Sequence, residues 1–306
     1  MKNQNSPKLL ILTGTGRSGT TYMVGLLRRV YGFGLSAEAK DLLKLNEDIN
    51  KLDPLNEENF ATAVDVVSDS RVLRHAISKG FISRVDKSRI IDFVTERSAQ
   101  GILFAMLRYV AVIRGANPNL PAFKDPGALR QLRQLRTLFP NALVINMIRR
   151  GEDVAGSTLK FNWGATNQVA GVLDWNNTLS KAMNEMKLFP EGHVLNLRLE
   201  DAHEDLDKFV FKIAHFVEQN YGESRKELLK QDLEQSLGSV KSYPVGGFEG
   251  LMIKKLAQNL NYRLGYSVTP LPLWQECAYR VIALPFLLMD RSIRSFRVLS
   301  GKFKSQ

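Results

Sequence analysis

The sequence predicts an α/β fold of P-loop type: a parallel sheet of about five strands with helices on both faces. Three observations carry this. A short apolar run opens into a glycine-rich turn and then into a segment of helical period. A second strand-and-helix unit follows near the middle of the chain. Beyond it, strands and helices continue to alternate, as in a parallel sheet covered on both sides.

Taken in order, Lys8–Thr13 is apolar, is flanked by Pro7 and Gly14, and reads as a buried parallel strand. The turn Gly14–Gly19 leads into Thr20–Tyr31, where Met23, Leu26, Leu27 and Val30 recur at helical spacing. From Glu38 to Gly115 the pattern is helical and charged, with Ile90–Val94 as the single strand candidate. The second unit comprises an extended Pro121–Lys124, a helical Gly127–Phe139, a strand Ala142–Ile148 and a helical Asp153–Phe161. Leu179–Leu188 is helical, His193–Leu199 alternates as a strand, and Phe209–Val217 and Leu251–Leu264 return to helical spacing. Pro270 and Pro272 mark a boundary, which divides the chain into a domain over 1–270 and a helical extension over 271–306. In that extension the apolar stretch Val281–Met289 is interrupted by Pro285 and followed by Arg291, Arg294, Arg297, Lys302 and Lys304.

A chain of 306 residues can bury one large core. Its net charge of +11 favours polyanionic partners: a multiply phosphorylated nucleotide, a nucleic acid or an anionic membrane surface. The single cysteine, Cys277, excludes a disulfide or a cysteine metal cluster within the chain, and the four histidines have no zinc-ligand spacing. The apolar run near the N-terminus is shorter than a secretory signal, and no run reaches the ~18–20 residues of a membrane span. A cytoplasmic catalytic part is therefore expected.

The chemistry concentrates in Gly14-Thr-Gly-Arg-Ser-Gly-Thr-Thr21. Glycines allow successive backbone N–H groups to converge on an anion, and the helix starting at Thr20 adds its positive dipole end. A Walker A loop would carry lysine where Thr20 stands, to reach the β- and γ-phosphates of a nucleoside triphosphate. Here the cation is Arg17, inside the loop, which argues against an ordinary ATPase or kinase.

Gly16-Arg-Ser-Gly-Thr-Thr-Tyr22 resembles the 5′-phosphosulfate loop of sulfotransferases that use 3′-phosphoadenosine 5′-phosphosulfate (PAPS). The resemblance implies that Gly16, Ser18, Gly19, Thr20 and Thr21 hold the 5′-phosphate, while Arg17 reaches the bridging oxygen and the sulfonate. Ile145-Asn-Met-Ile-Arg-Arg-Gly-Glu-Asp-Val-Ala-Gly-Ser157 resembles the family's 3′-phosphate motif, which implies that Arg149 and Ser157 bind that phosphate. Phe123-Lys124-Asp-Pro126 is similar to a segment of bacterial and tyrosylprotein sulfotransferases whose lysine stabilises the sulfuryl group in flight; Lys124 takes that place. Val194–Asp201 resembles a later strand of the family, with a structural role. Gly246-Gly-Phe248 and Leu264-Gly-Tyr266 resemble its closing loop and helix. Phe248 and Glu249 depart from the family's tryptophan and basic residues, leaving Lys241 and Lys254 as the basic candidates there.

Attack on sulfur requires a base. No histidine here has the histidine-leucine-proline setting of the cytosolic phenol and steroid enzymes, whereas Glu38 stands where a glutamate serves in tyrosylprotein and many bacterial members. Glu38 is the expected general base, against the alternative of an exposed glutamate in a helix capped by Ser36; His75 is the reserve. The resemblance implies PAPS as co-substrate and no metal. The acceptor is a hydroxyl or amine on a small molecule, a saccharide or a glycolipid, with peripheral membrane contact through the basic tail as one expectation for 271–306. Two other classes stay open. One is a phosphoryl transferase, for which Asp92 is the candidate magnesium ligand. The other is a nucleic-acid or anionic-surface binding protein, although no nucleic acid is expected as a partner.

Overall fold

The computed structural model describes residues 8–36, 41–162, 164–222, 224–238, 243 and 246–303. The first half of the chain forms β1 (Leu10–Gly14), α1 (Thr20–Tyr31), β2 (Phe33–Ser36), α2 (Leu42–Lys51), α3 (Glu57–Ser68), α4 (Arg71–Ser78), α5 (Lys87–Asp92), α6 (Ala99–Ile113) and β3 (Asn117–Lys124). A 3-10 turn at Pro126–Arg130 then leads to α7 (Leu132–Leu138), β4 (Leu143–Ile148), α8 (Gly151–Thr158), α9 (Gln168–Met186) and β5 (Val194–Arg198). The remainder is helical: α10 (Asp201–Glu204), α11 (Leu206–Tyr221), α12 (Lys226–Ser236), α13 (Gly247–Arg263), α14 (Leu273–Ile282) and α15 (Leu284–Phe303).

The strands form one parallel five-stranded sheet in the order β2-β3-β1-β4-β5. Two of them, β1 and β4, are buried along their whole length, which is why both read as unbroken apolar runs. β1 lies between β3 and β4, with Leu10 opposite Ala122 and Leu143, Leu12 opposite Lys124, and Gly14 opposite Met147. Beyond β4, the Val144 N–H donates to the His193 carbonyl at 2.8 Å and the Asn146 amide to Asn196 at 2.8 Å.

Described residues within 1–14, 19–147 and 185–238 form one compact unit, and those within 15–18, 148–184 and 239–306 form a second. In the first, alternate strand residues (Leu10, Leu12, Leu143, Ile145) meet the buried faces of α1, α11 and α12. Arg29 on α1 reaches Asp232 on α12 with two hydrogen bonds of 2.6 and 2.7 Å, a half-exposed pair that contributes about 1 kcal/mol or less. The opposite face is covered by α6, whose apolar residues are almost all buried. There Gly34 turns its missing side chain toward α6, where a Cβ would overlap Ala111. Between β5 and α11, Asp201 accepts from Arg198 and from Lys212 at 2.9 Å. Burial pushes this carboxyl up, but the two cations outweigh it and hold Asp201 below the usual carboxylate range.

The second unit packs α8, α9, α13, α14 and α15 around Trp175, Leu179, Leu256 and Leu260. Asn261 donates to both carboxylate oxygens of Glu152, at 2.9 and 3.2 Å; burial still raises Glu152 above the ordinary range. Asp290 is buried, accepts from the Thr166 N–H at 2.7 Å and the Thr166 hydroxyl at 2.9 Å, and forms an ion pair with Arg294 at 2.9 Å.

Two local expectations change. Ile90–Val94 is not a strand: its first part lies in α5, which is capped where the Asp86 carboxylate accepts from the Arg89 N–H. A short apolar run has no periodicity to distinguish the two, and the cap decides. Ser36 does not open a helix but ends β2, a strand too short and too glycine-rich to register in the sequence.

Candidate active site

The glycine loop joins β1 directly to α1. Arg17 adopts φ 71° and Gly19 φ 88°, so the loop holds a non-glycine residue in the left-handed region. Such a conformation costs on the order of 1 kcal/mol and persists where the surroundings enforce it. The enforcement is visible: the Ser18 N–H and hydroxyl both donate to the Thr15 carbonyl, at 3.2 and 2.6 Å, and Arg149 donates to the Arg17 carbonyl at 3.1 Å. Thr15 and Ser18 are buried, while Arg17 projects outward. Gly19 supplies no side-chain cap to α1, and the first turn of α1 (Thr20, Thr21, Tyr22) contains no acid. The helix therefore begins with uncapped donors and an uncompensated positive dipole end, the condition for holding an anion.

Within the second unit, cations gather on one spot. Arg17 Nε donates to Ser157 Oγ at 3.1 Å, and its guanidinium lies 4.7 Å from the Phe161 ring centre. Arg149, buried just past β4, stands 5.8 Å from the ring centre of Tyr243, and the Lys160 ammonium lies 4.8 Å from the same ring. The Tyr243 N–H donates to Asp153 at 2.9 Å. A Cβ on Gly156 would fall 2.6 Å from the Cβ of Tyr243, so glycine is required for this approach. The hydrogen bond with Ser157, helped by Lys160 and Arg149, holds the Tyr243 phenol below its usual range. Arg17, Arg149 and Lys160 around a buried serine form a site suited to a phosphate dianion.

The structure thus brings Arg17, Arg149 and Ser157 together. In the first unit, Lys124 is half-buried at the carboxyl end of β3, where the Asp125 N–H donates to the Leu12 carbonyl at 3.1 Å and Thr13 Oγ1 to the Asp125 carbonyl at 2.8 Å. These bonds tie the backbone beside Lys124 to β1. Glu38 and Lys241 lie outside the described residues. Lys254 is exposed on α13, His75 is half-buried within α4, and Asp92 is exposed at the end of α5. Lys160, Phe161 and Tyr243 escaped the sequence reading. Lys160 and Phe161 follow Ser157 by three and four residues, the spacing that shares a helix face, and offered a signal. Tyr243 offered none, being brought in from a distant segment.

A parallel sheet with a glycine loop between its central strand and first helix defines a P-loop-type α/β protein. The chain belongs to the sulfotransferase family, whose sequence model matches residues 8–223. No curated protein sequence matches it. Among solved structures it is similar to the sulfotransferase domain of the Synechococcus PCC 7002 olefin synthase, at 16% identity and TM-score 0.47, covering 86% of this chain and 96% of that one. It is also similar to the sulfotransferase domain from the curacin biosynthetic pathway, at 16% identity and TM-score 0.46, covering 85% and 98%. A third likeness is to a sulfotransferase from Mycobacterium avium, at 13% identity and TM-score 0.45, covering 86% and 78%.

Proposed function

We propose that this chain transfers a sulfonate group from PAPS to a hydroxyl or amine of a small-molecule, saccharide or glycolipid acceptor. The observation that carries the reading is the convergence of Arg17, Arg149 and Lys160 on buried Ser157, in a member of the sulfotransferase family. In this reading Arg149 and Ser157, with Lys160 and Tyr243 beside them, hold the 3′-phosphate. The other amides of the Gly16–Thr21 loop and the hydroxyls of Thr20 and Thr21 hold the 5′-phosphate, while Ser18, whose N–H and hydroxyl both donate to Thr15, holds the turn in shape.

The acceptor oxygen or nitrogen forms its bond to sulfur as the bond from sulfur to the bridging 5′-phosphate oxygen breaks. The electron pair leaves with adenosine 3′,5′-bisphosphate, and the acceptor proton passes to Glu38. Arg17 and Lys124 neutralise charge on the bridging oxygen and the sulfonate in the transition state. A sulfuryl group carries less charge than a γ-phosphoryl group, so loop amides and two cations suffice for the transfer.

Calorimetric titration with adenosine 3′,5′-bisphosphate, alongside ATP with magnesium, tests the reading. Wild type should bind the bisphosphate without metal, and Arg149→Ala should bind it roughly ten- to hundredfold more weakly. Preference for magnesium-ATP would replace sulfuryl by phosphoryl transfer. Glu38→Gln should lower turnover by about 10²–10⁴-fold with bisphosphate affinity unchanged; full activity in that variant removes Glu38 from the role.

A further inference from the structure

Helices α14 and α15 present apolar side chains to solvent. On α14, Leu273, Trp274 and Val281 are 75%, 70% and 64% exposed; on α15, Leu284, Leu288 and Phe296 are 50%, 62% and 71% exposed. Trp274 and Val281 stand two turns apart, and Leu284, Leu288 and Phe296 fall at multiples of four, so each set lies on one helix face. Together they expose on the order of several hundred Å² of apolar surface, at the upper end of what a monomer leaves uncovered.

The charges are sorted as sharply. Residues 273–303 contain two acids, Glu276 and Asp290. Both turn inward: Glu276 accepts from Asn259 at 2.6 Å and pairs with Arg280, and buried Asp290 accepts from Thr166 and pairs with Arg294. Arg291 and Arg297 remain exposed. The outer surface of the described helices thus combines apolar side chains with cations and carries no exposed carboxylate. A basic, apolar face with an exposed tryptophan complements an anionic lipid surface, where rings and aliphatic chains enter the acyl boundary and arginines meet headgroup phosphates. A second copy of the chain would bring the same cations into apposition. No described helix is long and apolar enough to cross a membrane, which leaves the in-plane mode.

We propose that α14 and α15 form an in-plane docking face for anionic phospholipid bilayers. The face is built into the second unit and is not a loose tail. Ala283 is buried in its core, Asn167 donates to the Phe286 carbonyl at 2.9 Å, and Arg297 donates to the Asn162 carbonyl at 3.2 Å. The segment gripped by these bonds lies beyond α8 and follows directly on Lys160 and Phe161. Docking stands independently of the sulfonate donor.

The test is flotation of the full chain with vesicles of phosphatidylcholine alone or with phosphatidylglycerol added. Wild type should float with the anionic vesicles, and binding should fall on moving from about 0.1 M to 0.5 M salt. The triple variant Trp274→Ser, Leu288→Ser, Phe296→Ser should bind at least tenfold more weakly, with an order-of-magnitude loss expected from removing this much buried apolar surface. Its melting temperature and bisphosphate affinity should match wild type, which separates loss of docking from loss of the fold or of the nucleotide site. Absence of flotation at low salt, equal binding to neutral vesicles, or a wild-type dimer dissolved by the triple variant would each overturn the proposal.

Discussion

Helices α11 and α15 both carry apolar side chains at helical spacing, and they cover them to different extents. α11 buries Phe209, Val210, Ile213 and Phe216 beneath the sheet. α15 exposes Leu284, Leu288 and Phe296 and buries the carboxylate of Asp290. The difference teaches that an apolar period defines a face but not its cover. In α11 the cover is the sheet. In α15 Phe286 and Leu287 pack against the second unit's core and Thr166 donates to Asp290, while Leu284, Leu288 and Phe296 are left outward.

The largest test of this contrast removes one phenyl ring from each helix. Phe209→Ala should cost about 3–5 kcal/mol of stability, because its side chain is wholly enclosed. Phe296→Ala, the same chemical change, should stay within about 0.5 kcal/mol in the same denaturant titration. Similar costs for the two would mean that the outer face of α15 is covered after all. Next comes Asp290→Ala, which leaves the Thr166 N–H without its acceptor and should cost about 2–3 kcal/mol in the same titration.

A smaller effect contrasts Asp290 with Glu152, a partly buried acid of the same unit. Burial raises the Glu152 carboxyl, although Asn261 donates to it twice. A raised folded-state pKa means that the protonated form favours folding below the unfolded pKa, and that this contribution disappears as pH climbs through the folded one. Glu152→Gln keeps an acceptor for Asn261 and removes the buried charge. It should therefore gain about 1 kcal/mol near pH 8 and nothing near pH 4. Melting curves at the two pH values check this; a gain independent of pH would assign the effect to packing. Smallest of all is Leu288→Ser alone, expected to leave the melting temperature unchanged within about 1 °C and to weaken vesicle binding only.

Much of the sheet was legible because β1 and β4 are buried on both faces and leave apolar runs bounded by punctuation: Pro7 and Gly14 around the first, Gly151 after the second. β2 was not, since Gly34, which reads as a turn residue, serves the close approach of α6. Ile90–Val94 stood as a strand candidate because Ile90, Ile91, Phe93 and Val94 show no period, and the deciding cap of α5 lay outside the run. In the candidate site, Arg17, Arg149 and Ser157 were visible as motif residues at recognisable spacings. Tyr243 was not, since its place depends on the absent Cβ of Gly156, eighty-seven positions away in the chain.

By itself the sequence determined the glycine loop, its arginine, the central strands and the basic, partly apolar character of the last helices. These are local matters: backbone freedom at glycine, the burial of continuous apolar runs, and the identity of a charged side chain. Only the tertiary structure decided that Arg17, Arg149 and Lys160 meet over Ser157 and Tyr243, and that the apolar faces of α14 and α15 point outward. Both outcomes depend on which distant segments pack together, and a linear pattern does not encode the side of a helix that its neighbours will take.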